Sequence, residues 1–192
     1  MKRGVAAKSR LIAVDGVDAA AVLAAAKAAL SASTPGEPGA RGGISRWDAS
    51  GIFQELAVAD DEAGVASPRT LLLLYAADLA FRLRWQIRPA LAEGRTVVAA
   101  PYVDTAVAFG RAAGLPAGWL TNLFSFAPRA NERHVVDTRG AHPSGTKEGF
   151  VGIACGRTSG GANARTARRV LEETSERLRR GKKRTPSRRS VE

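Results

Sequence analysis

Apolar residues in this chain fall into short unbroken runs that alternate with stripes of helical spacing. Leu11-Ile12-Ala13-Val14 is the first run, closed by Asp15-Gly16, and it predicts a buried strand leading into a turn. Residues 19–30 are almost entirely Ala, Val and Leu, with Lys27 the only charge and no Gly or Pro, so they predict a helix. Residues 31–43, rich in Gly, Pro and Ser, predict a long loop. A second strand with its exit turn is expected over 44–48 and a short helix over 52–59. Ser67-Pro68 marks a helix start, with Ser67 as N-cap. From 69 to 93 apolar side chains recur at Leu72, Tyr75, Ala76, Leu79, Leu83 and Ile87, the stripe of an amphipathic helix, and Pro89 predicts a kink or restart near its end. After Gly94 the β-branched run 95–100 fits a strand of a parallel sheet. Helices are predicted over 104–113 and 117–126, separated by Gly114-Leu115-Pro116. Residues 134–136 and 150–155 predict two further strands, with a polar loop over 140–149 between them. A charged helix is expected over 165–180, its thin apolar face formed by Val170, Leu171 and Leu178. Strands alternating with helices predict an α/β fold around a parallel sheet.

Charge changes the picture at one end. The formal net charge is +11, and residues 157–192 hold 12 Lys/Arg against 4 Asp/Glu, so +8 of it belongs there. The 192 residues suit one domain over 1–180, followed by a basic tail over 181–192 whose Lys, Arg, Ser and Pro predict disorder. Such a tail would contact phosphates without sequence preference, so weak binding of nucleic acid or an acidic partner is expected of it. It has no interleaved aromatic residues for stacking on bases. The single cysteine, Cys155, predicts a reducing compartment and no internal disulfide. No run approaches the roughly 20 apolar residues of a membrane span, and the basic N-terminus is followed by no adequate apolar stretch, so a cytoplasmic protein without membrane contact is expected. His134 and His142 stand isolated, without metal-ligand spacing.

A strand, a glycine turn and a helix are the setting of a phosphate-binding loop of pattern G-x-x-x-x-G-K-[ST]. Its glycines aim backbone N–H groups at phosphates, its lysine reaches the β and γ phosphates, and its hydroxyl ligates magnesium. Here the run is Gly16-Val17-Asp18-Ala19-Ala20-Ala21-Val22-Leu23. Gly16 keeps the first glycine. Ala21 stands at the second, Val22 at the lysine and Leu23 at the hydroxyl. Asp15 and Asp18 are candidate metal carboxylates, read instead as solvated or capping groups at a helix start.

The middle of the chain is more specific. Residues 67–78, SPRTLLLLYAAD, and 87–94, IRPALAEG, resemble the long helix of bacterial thymidylate kinases and its I-x-P-A-L-x-x-G end. The following 97–109, VVAAPYVDTAVAF, resembles the family's strand and its D-R-Y-x-x-S-x-x-A-[FY] segment, and Gly114-Leu115 and Trp119-Leu120 continue the match. Val14 to Asp18 resembles the family's E-G-x-[DE]-G entry to the phosphate loop. The resemblance covers about residues 10 to 128. It implies a three-layer P-loop kinase-like fold with a central parallel sheet flanked by helices. It also implies pairing through the helix 67–93, as a homodimer or as a heterodimer with an active relative. Leu72, Tyr75, Leu79 and Leu83 are the contact positions expected for it.

Departures from the family pattern carry the functional expectation. The family's Asp-Arg pair is Ala100-Pro101, and the arginine after A-A-D, used on the acceptor phosphate, is Leu79. Of the R-E-P-G-G loop only Arg46 and a later glycine, Gly51, are shared. Arg46, Asp48, Tyr102 and Thr105 are what remains of an acceptor site. Trp47, Phe81 and Trp85 read as core or dimer-contact aromatics. Each missing charge-assisted hydrogen bond is worth roughly 1.5–3 kcal/mol. The sequence therefore predicts a catalytically degenerate protein, a non-catalytic scaffold or regulatory subunit with no catalytic residues, no metal and no cofactor. The alternative is an atypical dTMP kinase using Mg-ATP, and a second alternative is a binder acting through its basic tail.

Overall fold

In the computed structural model, residues 9–33, 42–53, 55, 66–136, 149–158 and 164–184 are described. β1 (Arg10–Asp15) is buried from Leu11 onward because both of its edges and both of its faces are covered. It pairs in parallel with β3 (Thr96–Ala100), Ile12 opposite Val98, and with β4 (Glu132–Val135), Ile12 opposite Glu132. β2 (Gly43–Arg46) pairs in parallel with β3, giving the order β2-β3-β1-β4.

The two-residue period of the strands divides the core. Ile12, Val14, Val98 and Ala100 face one way and meet Val22 and Ala26 of α1 (Ala19–Ser33). Leu11, Ala13, Val97 and Ala99 face the other way. There they meet α2 (Pro68–Arg82) and residues of the later helices. Helix α3 (Arg88–Ala92) continues the line of α2; α4 (Val103–Ala112) and α5 (Ala117–Leu123) follow β3, and α6 (Phe150–Thr158) and α7 (Ala164–Arg184) follow β4. The result is the expected α/β arrangement, a parallel sheet between helices.

α2 begins as predicted: Ser67 Oγ accepts from Thr70 N at 3.1 Å, with Pro68 in the first turn. Its interruption comes one turn before Pro89. Residues Leu83–Ile87 form a π-helical turn in which Arg88 N–H donates to Leu83 O. Pro89 has no N–H for the helical ladder, and the widened turn absorbs that break before α3 resumes.

Three expectations change. Residues 150–155 form α6, not a strand. Phe150, Val151, Ala154 and Cys155 are all buried, the spacing of one helical face, which a short apolar run does not distinguish from a strand. α7 passes the expected end at Arg180 and runs through Gly181 to Arg184; residues 185–192 lie outside the described residues. Leu72, Tyr75, Leu79 and Leu83 are all fully buried in the core of the chain itself, so they are not available to a partner. The apolar stripe of α2 turns inward, onto its own sheet. The outward face carries Leu73, Phe81 and, in the π turn, Trp85.

Ile52, Phe53 and Glu55 are helical, while the rest of the predicted helix 52–59 lies outside the described residues, as do 34–41 of the long loop, 140–148 and His142. No helix among the described residues is long and apolar enough to cross a membrane.

Candidate functional site

The turn from β1 into α1 is built around Asp18. Its Oδ1 accepts from Ala21 N at 2.8 Å, and its carbonyl from Val22 N at 2.9 Å, so it is the N-cap of α1. The cap is buried. The first amides of the helix thus face a carboxylate of the chain, at the kind of helix end that in other proteins receives a phosphate. Val22 is buried among Ile12, Val14, Val98 and Ala100. A Cβ at Gly16 would stand 2.8 Å from Val22 Cγ2 and 3.1 Å from Val136 Cβ, so the turn is tight around its glycine.

Above this turn lies Gly149. A Cβ there would come within 2.9 Å of Val17 O, which means the 149 backbone rests directly on the turn. Phe150 then points into a cluster of rings, with centroids 4.5 Å from Tyr75, 5.4 Å from Phe109, 5.6 Å from Phe53 and 6.1 Å from Trp47. Between Leu23, Arg46, Pro101 and Phe150 a recess of about 30 Å³ remains. That is the volume of about one water molecule. The residues lining it offer no lysine to a phosphate chain.

Asp15 ends β1 and is buried. Its Oδ1 accepts from Tyr102 N at 3.0 Å, Thr105 N at 2.9 Å and Thr105 Oγ1 at 2.8 Å. Thr105 Oγ1 also accepts from Gly16 N at 3.0 Å, so one hydroxyl ties the β1 turn to the start of α4. Burial pushes the Asp15 carboxyl up to about 6, with Asp104 adding to the rise and the hydrogen bonds from Thr105 and Tyr102 opposing it. Burial likewise pushes the Tyr102 phenol up to about 12, and its hydroxyl donates to Pro128 O at 2.7 Å. Tyr75 donates to Tyr102 O. Asp15 and Tyr102 line a cleft of about 360 Å³ with Arg129 and the ion pair of Asp104 and Arg133 at its sides.

Two charged residues that the sequence reading passed over lie at the centre of this edge of the sheet. Asp78 and Arg82 of α2 are both fully buried, with Arg82 Nε 2.9 Å from Asp78 Oδ2. The Nε–H is not aligned on that oxygen as a hydrogen bond, and Nη2 has no hydrogen-bond partner among the described residues, so charge more than geometry holds the pair. Arg82 Nη1 donates to Pro101 O at 3.0 Å, across the cis Ala100–Pro101 peptide bond region. Asp78 accepts from Asp48 N at 3.1 Å, Ser50 N at 3.1 Å and Ser50 Oγ at 3.0 Å. The signal was present: both charges fall on the apolar stripe of α2, four residues apart, where a charge needs a buried partner.

The positions singled out in the sequence therefore gather unevenly. Asp15, Gly16, Asp18, Ala21, Val22 and Leu23 form one turn, joined by Tyr102 and Thr105 through Asp15. Asp48 stands apart: its backbone is left-handed at φ 55°, and its Oδ1 accepts from Phe53 N at 2.8 Å. Arg46 lines both the small recess and a larger groove beside β2, and Asp48 lines only the groove. Among the described residues no group of three or more His, Cys, Asp or Glu side chains is placed to hold a metal ion.

No family model matches the chain. Parts of it are similar to curated proteins: 34% identical over 74 residues to a probable thymidylate kinase of Pyrobaculum calidifontis, 38% of either chain, and 40% identical over 65 residues to a probable thymidylate kinase of Pyrococcus horikoshii, 34% of this chain and 32% of that one. The match thus spans little more than a third of the length of these relatives. Among solved structures, thymidylate kinase from Ehrlichia chaffeensis superposes with a TM-score of 0.58 at 14% identity, over 67% of this chain and 71% of that one, a likeness of fold. By the shared stretch of sequence and by its parallel sheet between helices, the chain is similar to thymidylate kinases in part of its sequence and has their fold.

Proposed function

We propose that this thymidylate kinase-like chain has given up phosphoryl transfer and acts as a scaffold or regulatory subunit. The observation that supports this most is the 30 Å³ recess at the β1–α1 turn, closed by Leu23, Gly149 and Phe150. Phosphoryl transfer depends on positive charge and oriented donors around the moving group. At this turn the lysine position is Val22, packed in the core, and the helix end is occupied by Asp18. The test is calorimetric titration of the full chain with Mg-ATP, and separately with dTMP, to millimolar ligand, beside a turnover assay. Neither heat of binding nor turnover is expected. Micromolar binding of Mg-ATP would sink the proposal, and binding of dTMP alone would recast the chain as a nucleotide sensor.

The outward face of α2 favours pairing with a second copy or an active relative. Leu73 and Phe81 are 54% and 40% exposed on it, about two helical turns apart. Light scattering should give the mass of a dimer for the wild-type chain and of a monomer for Leu73→Asp with Phe81→Asp. A monomeric wild type removes self-pairing.

A further inference from the structure

β2 is one of the two edge strands of the described sheet, and beside it lies an open groove of 610 Å³. Gly43 to Ala49 line it, together with Trp85, Gln86, Ala90 and Arg95 from beyond α2. The π turn places Trp85 at the surface, 62% exposed, with the Arg84 guanidinium 5.2 Å from its ring centroid. Ser45 Oγ donates to Gln86 Oε1 at 2.8 Å, which fixes the amide and leaves its N–H groups without a protein partner among the described residues. Arg46 is exposed, and its side chain has no partner among the described residues. Arg95 Nη2 pairs with Glu93 at 2.5 Å, but its buried Nε has no hydrogen-bond partner among the described residues. Arg84 and Arg88 continue the positive charge on the same exposed stretch.

The unspent groups of the groove are thus donors and cations, and the most exposed part of its apolar surface is the flat Trp85 indole, beside Ile44, Trp47 and Val97. The carboxylates nearby are engaged, Asp48 by Phe53 N and Glu93 by Arg95. A purely apolar partner would leave the donors unpaired, and an acidic peptide would leave the exposed indole face unused. An acceptor-rich polyanion with exposed aromatic faces satisfies both. We propose that this groove binds single-stranded nucleic acid, one base stacking on Trp85 while adjacent phosphates engage Arg46 and Arg95. The volume is of the size that receives one or two nucleotides. A duplex hides its base faces and would use only the arginines. The net charge of +11 steers any such strand toward the protein. The inference does not depend on whether the chain transfers phosphate.

Fluorescence anisotropy of the full chain with labelled oligo-dT, and with a duplex of equal length, tests it. The single strand should bind tighter than the duplex. Trp85→Ala should weaken the single strand about ten- to a hundredfold and leave the duplex unchanged. Trp85→Phe should recover part of the loss, which separates stacking from misfolding. Arg46→Ala with Arg95→Ala should lower the salt slope by about 1.4. Three results would overturn the proposal: equal binding of single strand and duplex; loss on Lys182→Gln with Lys183→Gln and Arg184→Gln but not on Trp85→Ala, which assigns the affinity to the tail; or a fall in molecular mass on Trp85→Ala with no oligonucleotide binding, which assigns Trp85 to a second copy of the chain.

Discussion

The recess at the β1–α1 turn and the groove beside β2 share two lining residues, Arg46 and Trp47, yet one holds about 30 Å³ and the other 610 Å³. The small recess is walled by Val17, Val22, Leu23 and Phe150 beside Arg46, and the Phe150 ring narrows it. The groove is walled by Arg46, Gln86 and Arg95 together with Ile44, Trp47, Trp85 and Val97, and it is the wider of the two. Asp78 and Arg82 form the partition. Arg82 holds Pro101 on the closed side, and Asp78 holds the 48–50 turn on the open side. Both linings mix polar and apolar groups, so the packing of Phe150 on its ring neighbours, more than the solvation of the lining, accounts for the difference in size.

The largest effect is expected at the partition. Arg82→Met leaves Asp78 buried without its counter-charge and should cost about 3–5 kcal/mol in urea unfolding. Adding Asp78→Asn should recover part of that, because no bare charge is then left inside. A single-variant loss within about 1 kcal/mol would mean that the two recesses are not divided by this pair.

Phe150→Ala tests the closed side. Four aromatic neighbours lose their common contact, and a cost of roughly 3 kcal/mol or more is expected. The enlarged space should still not bind Mg-ATP, since the Asp18 cap and Val22 remain; recovered binding would show that Phe150 alone shuts the site.

Asp15 gives a pH signature. Its carboxyl lies at about 6 in the folded chain against 3.8 ordinarily, so the folded state holds the proton more tightly than the unfolded state. The contribution is therefore most favourable below pH 4 and is lost as pH rises through 6, a fall of about 3 kcal/mol at 1.36 kcal/mol per pH unit. Asp15→Asn keeps an oxygen for Tyr102 N and Thr105 and removes the titration. Denaturant midpoints of wild type and variant should converge at pH 4 and separate at pH 7, the variant more stable. Parallel curves would refute the burial argument.

The open side should hardly register in stability. Trp85→Ala is expected to shift unfolding by no more than about 0.5 kcal/mol, because most of the ring is already in water. A larger loss would mean that the indole is part of the core or of an interface.

Much of this was legible in the chain. The runs at 11–14 and 96–100, the alanine-rich helix, the Ser67-Pro68 start and the alternation of strands and helices as far as residue 136 read correctly, because each is written in local periodicity or capping chemistry. The resemblance to thymidylate kinases over the middle of the chain was legible too, from the order of several short segments.

What local pattern did not contain is which contacts bury a stripe. Phe150–Cys155 shows the same apolar run as a strand or a helix, and its helical state is supported by packing on Trp47, Phe53 and Tyr75, about seventy-five to a hundred residues away in sequence. The stripe of α2 was visible, but its direction toward the sheet, which takes Leu72, Tyr75, Leu79 and Leu83 out of reach of any partner, depends on the sheet being there. The Asp78–Arg82 pair and the groove beside β2 likewise exist only where α2, the 48–50 turn and β3 meet. The sequence by itself determined which residues seek burial and in what order the elements come; the tertiary structure alone decided which of them meet, because burial is completed by contacts between segments that are neighbours in space and not along the chain.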